Sequence, residues 1–395
     1  MSKRSIRDLE LAGRRVLIRV DFNVPLAGGA VGDDTRIRAA LPTVRHALER
    51  GATVVLASHL GRPKGAPRPD LSLRPVARRL AELLGRPVHF AADCVGKPAR
   101  GAVAEAHPGG VALLENLRFH AGEERNDAAL AAELGSLADV FVNDAFGAAH
   151  RAHASTAGIV SHVRDAGAGL LLGAELEHLG ALLGNPRRPF VAVLGGAKVS
   201  GKLDVIENLL GRVDALLIGG AMAYTFFERR GLPVGRSLVE PDLLDAAHGV
   251  ERDARGAGVD LRLPADHVVT DRIEAEAATA TLGVDDAAIG DRIGVDIGPR
   301  TRQSYAEVVG RAGTVVWNGP LGVFEIDAFA AGTLAMARAV AGTAATTVVG
   351  GGDSVAAVGK AGVRDRITHI STGGGASLEF LAGRTLPGVS ALPDA

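Results

Sequence analysis

Short apolar runs recur along this chain, and a segment of helical spacing follows most of them. VLIRVDF (16–22), TVVLAS (53–58), VALLENL (111–117) and VFVNDAF (140–146) have the length and apolar density of buried strands. TRIRAALPTVRHALERG (35–51) and LRPVARRLAELLG (73–85) repeat their apolar residues at helical intervals, and each ends on glycine. Strand–helix alternation of this kind predicts a parallel sheet covered by helices. The rhythm pauses at GLLLGAELEHLGALLG (169–184), a single helical pattern, and at NPRRP (185–189), whose two prolines end it. It resumes with FVAVLGG (190–196), ALLIGG (215–220), IGVDIG (293–298), TVVWNG (314–319), TTVVGGG (346–352) and ITHIST (367–372). The fold class is therefore α/β, with two three-layer α/β/α domains built on parallel sheets and joined by a long helix and hinge. The expected divisions are 1–170, 171–189, 190–380 and a tail, 381–395. The polar, acidic stretch 270–292 shows no clear pattern.

A chain of 395 residues suits two or three domains. The formal net charge of -1 argues against bulk attraction to nucleic acid or to an anionic membrane. Cys94 is the only cysteine, so no intrachain disulfide is expected and a reducing, cytoplasmic location fits. By itself Cys94 reads as a small, inert buried side chain. The N-terminus lacks the apolar stretch of a signal peptide, and no run of about 18 apolar residues suggests a membrane span.

Ligands of open parallel sheets bind beyond the carboxyl ends of the strands. In the first half those ends carry anion binders. DFNVP brings Asp21 and Asn23, SHLGRP brings His59 and Arg62, ENLRF brings Arg118, and AFGAAHRAHAST brings His150, Arg151 and His153. Arg36 opens the first long helix. Each arginine alone reads as a solvated surface residue; recurrence after successive strands points to a small polyanion.

The second half carries glycine loops. LGGAKVSGKL (194–203) follows a strand and opens a helix, a turn that offers backbone N–H groups to phosphate. Lys198 and Lys202 share a face if that helix begins early. Lysine is scarce here: six occur, and arginine supplies the other 38 basic residues. GGGDS (350–354) offers Asp353 to Mg²⁺, and STGGGAS (371–377) is a third backbone cradle. WNGPLGVFE (317–325) either walls an adenine and ribose pocket, with Glu325 accepting from ribose, or buries its tryptophan in the core. Gly196 to Leu203 reads G-x-x-x-x-G-K-L, one hydroxyl short of a Walker A loop, and makes a P-loop-like NTPase without an acceptor the alternative class.

RVDFNVP, SHLGRPKG, LLENLRFHAGEE, NDAFGAAHRAHAS, GGAKVSGK, GGAMAYTF, VDIGPRT, VVWNGPLGVFE, GGGDS and STGGGASLE resemble blocks of the phosphoglycerate kinase family, in family order, from Arg19 to Glu379. The resemblance implies two Rossmann-like domains: an N-terminal one for 3-phosphoglycerate or 1,3-bisphosphoglycerate and a C-terminal one for ATP or ADP with Mg²⁺. It also implies a hinge-bending monomer whose tail returns to the N-terminal domain. It assigns Asp21, Asn23, Arg36, His59, Arg62, Arg118 and Arg151 to that first substrate. To the nucleotide it assigns Lys198, Lys202, Gly219, Gly220, Gly294, Asn318, Pro320, Glu325 and Gly351, Gly352, Asp353 and Ser354. Arg36, Lys202, Gly373 and Gly374 would act on the transferring group. Gly201 and Leu321 depart from the family, which often has Asp and Met there.

Overall fold

In the computed structural model, which describes residues 3–395, the apolar runs form two separate parallel sheets. Residues group into two compact units, Met1–Glu177 together with Thr385–Ala395, and His178–Arg384.

The first unit holds six strands in the order His89–Phe90, Val111–Leu113, Thr53–Ala57, Arg15–Arg19, Val140–Asn143 and Asp165–Ala168, all parallel. Thr53–Ala57 is buried at every position, as a parallel strand covered on both faces must be. Val16 and Ile18 share a core with Ile37 and Val44 of the helix Thr35–Glu49 and with Val76 and Leu80 of the helix Arg74–Leu84. Leu17 is equally buried and faces the other way by strand alternation. Arg74–Leu84 ends where Gly85 turns left-handed, at φ 66°. The strand Arg15–Arg19 lies between Thr53–Ala57 and Val140–Asn143, so the connections leave it in both directions and open a crevice beyond Arg19.

The second unit repeats the plan. Its order is Asp260–Arg262, Ala215–Ile218, Phe190–Leu194, Thr314–Asn318, Thr346–Gly350 and His369–Ile370, again parallel. Here the switch falls between Phe190–Leu194 and its neighbours, beyond Leu194 and Asn318. The run IGVDIG does not join this sheet. Ile293–Ile297 pairs antiparallel with Asp266–Thr270, which also pairs with Thr279–Gly283, in a three-stranded sheet of its own. Part of the unpatterned stretch 270–292 is thus a strand. It is half-exposed along its length, so no apolar run marks it.

The helix Leu170–Leu183 begins in the first unit and ends in the second. The segment Thr385–Ala395 packs on the first unit: Asn143 Nδ2 donates to Gly388 O at 2.9 Å and Lys3 Nζ to Leu392 O at 2.8 Å, while Leu386, Val389 and Leu392 are buried. Among the described residues no helix is long and apolar enough to cross a membrane.

Candidate active site

Beyond Arg19 the first unit gathers cations around a buried framework. Arg19 is 1% exposed, although it ends a strand of aliphatic residues. Its guanidinium donates to Ser155 Oγ at 2.8 Å and to Val20 O, and lies 3.1 Å from His59 Nδ1. Glu123, wholly buried, balances it; its carboxylate accepts from Ser155 N at 3.0 Å and Ser155 Oγ at 2.5 Å. Burial pushes Glu123 up in pKa, and burial together with the Arg19, Arg118 and Arg36 charges drives His59 well below the usual imidazole range. His59 is therefore a neutral hydrogen-bonding group at neutral pH.

On this framework sit the anion-binding candidates. Asp21 Oδ2 accepts from Arg36 at 2.9 Å and Asn23 Oδ1 accepts from Gly61 N at 2.9 Å. Arg118 donates to Gly61 O at 2.8 Å, and Asn116, which accepts from Arg118 N at 3.1 Å, also ties down Leu60. Burial, first of all, and the Arg151 charge lower the Arg118 pKa, with Glu124 at 3.3 Å opposing. Arg62 and Arg151 are exposed. Burial beside Arg19 and Arg118 lowers His153 to about 4. Arg19, Glu123 and Ser155 were not singled out by pattern. All three lie inside blocks quoted above, RVDFNVP, LLENLRFHAGEE and NDAFGAAHRAHAS, and Arg19 carries a signal of its own, an arginine within an otherwise apolar strand, VLIRV, since such a charge needs a buried partner.

In the second unit the loop 195–202 does not open its helix early. The helix is Leu203–Leu210, so Lys198 and Lys202 both precede it and share no helical face. Lys198 is exposed. Lys202, half-buried, donates to Asn318 Oδ1; burial lowers it to about 8, against the pull of Asp353. Ser200 N and Oγ donate to Glu240 at 3.1 and 2.6 Å and fix the turn. A Cβ at Gly201 would meet nothing closer than Lys198 O at 4.0 Å, so no steric demand keeps glycine there.

A cavity of about 240 Å³ lies beside this loop. Gly220, Gly294, Pro320, Glu325 and Asp353 line it, joined by Tyr224, His267 and Asp296. Gly294 leaves space for the Tyr224 hydroxyl, which shares a hydrogen bond of 2.8 Å with His267 Nδ1, and a Cβ at Gly219 would strike Leu321 at 2.5 Å. Burial raises Asp296 to about 7 and lowers His267 to about 4. His267 lies in no motif noted above, whereas Asp296 lies in VDIGPRT without any local sign that it would face a cavity. Trp317 is wholly buried and donates to Gly319 O at 2.8 Å, so the core reading holds for the tryptophan while the residues after it form the wall.

Ser354 Oγ accepts from Gly319 N at 2.6 Å, and Gly351, at φ 88°, lets the chain pass Asn318 into the helix Gly352–Lys360. Asp353 is exposed on that first turn. In the third glycine loop the Gly373 N–H is already donated to Ser371 Oγ at 3.2 Å, whereas Gly374, at φ 50°, precedes the helix Gly375–Leu381. The cradle expected from Gly373 to Gly375 is thus narrower by one amide.

A sequence profile of the family described as phosphoglycerate kinase matches residues 6–384. The chain is 54% identical over 398 residues to a phosphoglycerate kinase of Chloroherpeton thalassium, covering 100% of both chains. It is 58% identical over 394 residues to one of Rubrobacter xylanophilus, covering 100% of this chain and 99% of the relative. The solved phosphoglycerate kinase of Coxiella burnetii superposes with a TM-score of 0.89 at 44% identity, over 98% of each chain.

Proposed function

The chain belongs to the phosphoglycerate kinase family, and from that premise we propose how its residues divide the work of moving a phosphoryl group between ATP and the carboxylate of 3-phosphoglycerate. It is a kinase by that membership. The acceptor is an already ionised carboxylate, so no general base is required. The task is to hold two polyanions together and to stabilise charge on the transferring group.

The observation that carries the division is the half-buried Lys202, which donates to Asn318 Oδ1 and feels the charge of Asp353, itself part of the wall of a slot lined by glycines and apolar side chains. In our reading the slot takes adenine and ribose, with Glu325 accepting from ribose hydroxyls and Gly219, Gly220, Gly294 and Pro320 shaping it. Lys202, with Lys198, neutralises nucleotide phosphates. Gly351, Gly352 and Ser354 present the turn to them. In the first unit Arg62, Arg118, Arg151 and His59 hold the substrate phosphate end, Asp21 and Asn23 set the positions of Arg36 and Gly61, and Arg36 faces the reacting carboxylate. The amides at Gly374 and Gly375 receive the transferring oxygens.

Asp353 fits Mg²⁺. It is an exposed carboxylate on the cavity wall with no hydrogen bond or ion pair to any other described side chain, and carboxylate oxygen is the donor a hard cation prefers. Bound there with the nucleotide, Mg²⁺ would neutralise phosphate charge. We assign 1–170 to 3-phosphoglycerate, 190–380 to the nucleotide and 184–189 to a hinge. We also expect a cytoplasmic location, which the single cysteine fits, no nucleic-acid partner, which the formal net charge of -1 fits, and a monomer, on family membership alone.

The test is Lys202→Ala in a coupled assay with 3-phosphoglycerate, ATP and Mg²⁺. If Lys202 acts on the transferring group, turnover falls by about 10²-fold or more while ATP affinity changes far less. Equal losses in both would leave Lys202 as a ground-state contact and sink its catalytic assignment.

A further inference from the structure

Asp93, Cys94 and His120 lie outside both sites described above. Asp93 and Cys94 sit in the loop after the strand His89–Phe90, and His120 follows the single helical turn Leu117–Phe119. One oxygen, one sulfur and one ring nitrogen from the three all lie within 4.8 Å of one another. Asp93 Oδ1 and His120 Nε2 are 2.7 Å apart, and the same oxygen accepts from Cys94 N at 2.6 Å, which fixes the carboxylate against its own loop. The backbone on both sides is held: Ala91 N donates to Leu113 O at 2.9 Å and His120 N to Leu117 O at 3.1 Å. Cys94 is buried, while the His120 and Asp93 side chains are 34% and 43% exposed. Those two line a cleft of about 620 Å³, whereas Cys94 is wholly buried and is not on its wall. Of the three arginines on that cleft, Arg78 is exposed and the other two are engaged elsewhere. Arg68 pairs with Asp70 at 2.6 Å, and Arg74 lies over the Phe90 ring at 4.6 Å.

We propose that Asp93, Cys94 and His120 form a site for a divalent transition metal of the Zn²⁺ class, three protein ligands with the cleft supplying the fourth position. Zn²⁺ takes sulfur at about 2.3 Å and nitrogen or oxygen at about 2.0–2.2 Å, which sets its ligands roughly 3.3–3.8 Å apart in a tetrahedron. To reach that spacing the Asp93–His120 pair must open from 2.7 Å and any wider separation, none above 4.8 Å, must close. The thiolate and imidazole favour Zn²⁺ or Co²⁺ over Mg²⁺, whose preference is for oxygen. This site therefore differs in kind from Asp353. On binding, the Cys94 thiol gives up its proton to solvent, Asp93 is ionised and His120 binds as the neutral ring. The ion ties the loop 91–95 to the turn that carries Arg118. Cys94, which sequence alone presents as inert packing, becomes a ligand once His120 and Asp93 are placed beside it.

Co²⁺ is the probe, added to the full-length, chelator-stripped, nucleotide-free protein and followed by absorption spectroscopy. Cys94 is the only cysteine, so a sulfur-to-cobalt charge-transfer band can come from no other residue. The expected result is such a band, saturating at one equivalent, with the visible bands of four-coordinate cobalt. Zn²⁺ should abolish it and millimolar Mg²⁺ should not. Cys94→Ser should lack the band, and His120→Ala should bind at least about tenfold more weakly. Cys94 is buried, and its variant is at risk of misfolding; His120 is at the rim, so its variant decides in that case. No charge-transfer band in the unaltered protein, or an unchanged midpoint in His120→Ala, overturns the site.

Discussion

At the scale of single residues, the arginines of the first unit separate by burial rather than by type. Arg62 and Arg151 are exposed, so their removal leaves the fold nearly untouched. Arg118 is half-buried and is bonded to Gly61 O, so its loss strands a carbonyl as well as a charge site. We expect Arg62→Ala and Arg151→Ala each to raise KM for 3-phosphoglycerate about tenfold or more with melting temperature unchanged. Arg118→Ala should raise KM and also cost about 1–2 kcal/mol of stability. Steady-state kinetics beside thermal melts would check this; a normal KM with a collapsed melting temperature for Arg62→Ala would mean a structural arginine. The same contrast explains what the residues themselves could announce. Arg62 and Arg118 stand at strand ends inside polar loops, where sequence alone marks them as candidate binders. Arg19 stands within a strand, and its partners Glu123 and Ser155 lie over 100 residues away, so only the fold shows that its charge is matched. The place of His267, and that of Asp296 within VDIGPRT, is hidden in sequence for the same reason, because their relation to the cavity depends on the antiparallel sheet.

At the scale of elements, the start of the helix Leu170–Leu183 is the most instructive. Its first three N–H groups would be orphans. Thr43 Oγ1 accepts from Leu170 N at 3.0 Å, and Asp144 Oδ1 accepts from Leu171 N at 2.9 Å and Leu172 N at 3.1 Å. The cap is therefore supplied from distant chain segments, and no local Ser or Asp before the helix could have forecast it. Burial outweighs these bonds and raises Asp144 from 3.8 to about 7. A carboxyl raised in the fold contributes stability while it is protonated, and that contribution is lost as pH rises from about 4 through about 7. Asp144→Asn keeps an accepting oxygen without the charge. The parent protein should therefore lose stability relative to this variant across that window, by no more than about 4 kcal/mol in all. Urea denaturation at pH 5 and pH 8 would show it, and a constant difference would mean that Asp144 ionises normally. Strands and helices with strong apolar spacing were legible within a few residues at their ends. Thr279–Gly283 was not, because half of it faces solvent, and Ile293–Ile297 looked like another parallel strand because nothing in one run reveals its partner's direction.

At the scale of the whole molecule, the chemistry divides between two units. The buried-arginine framework belongs to the first, and the Lys202–Asn318 pair and the glycine-lined cavity to the second. Phosphoryl transfer requires the reacting atoms to come within roughly 3–3.5 Å. Both substrates must also enter and leave, and water must be excluded at the moment of transfer. A closing motion satisfies all three demands if some contacts form only when both ligands are bound, because a ligand shifts an equilibrium only by its differential affinity for the two states. The segment 184–189 follows the helix that runs from one unit into the other, and it is where we place the hinge. Small-angle scattering then gives a graded expectation. Saturating 3-phosphoglycerate alone, or a non-reacting ATP analogue with Mg²⁺ alone, should reduce the radius of gyration slightly. The two together should reduce it by more than the sum of the separate changes, since only the pair completes the closed-state contacts. If the radius of an active preparation stayed constant with both ligands saturating, transfer would have to proceed by local loop movement, and the large hinge motion would be wrong.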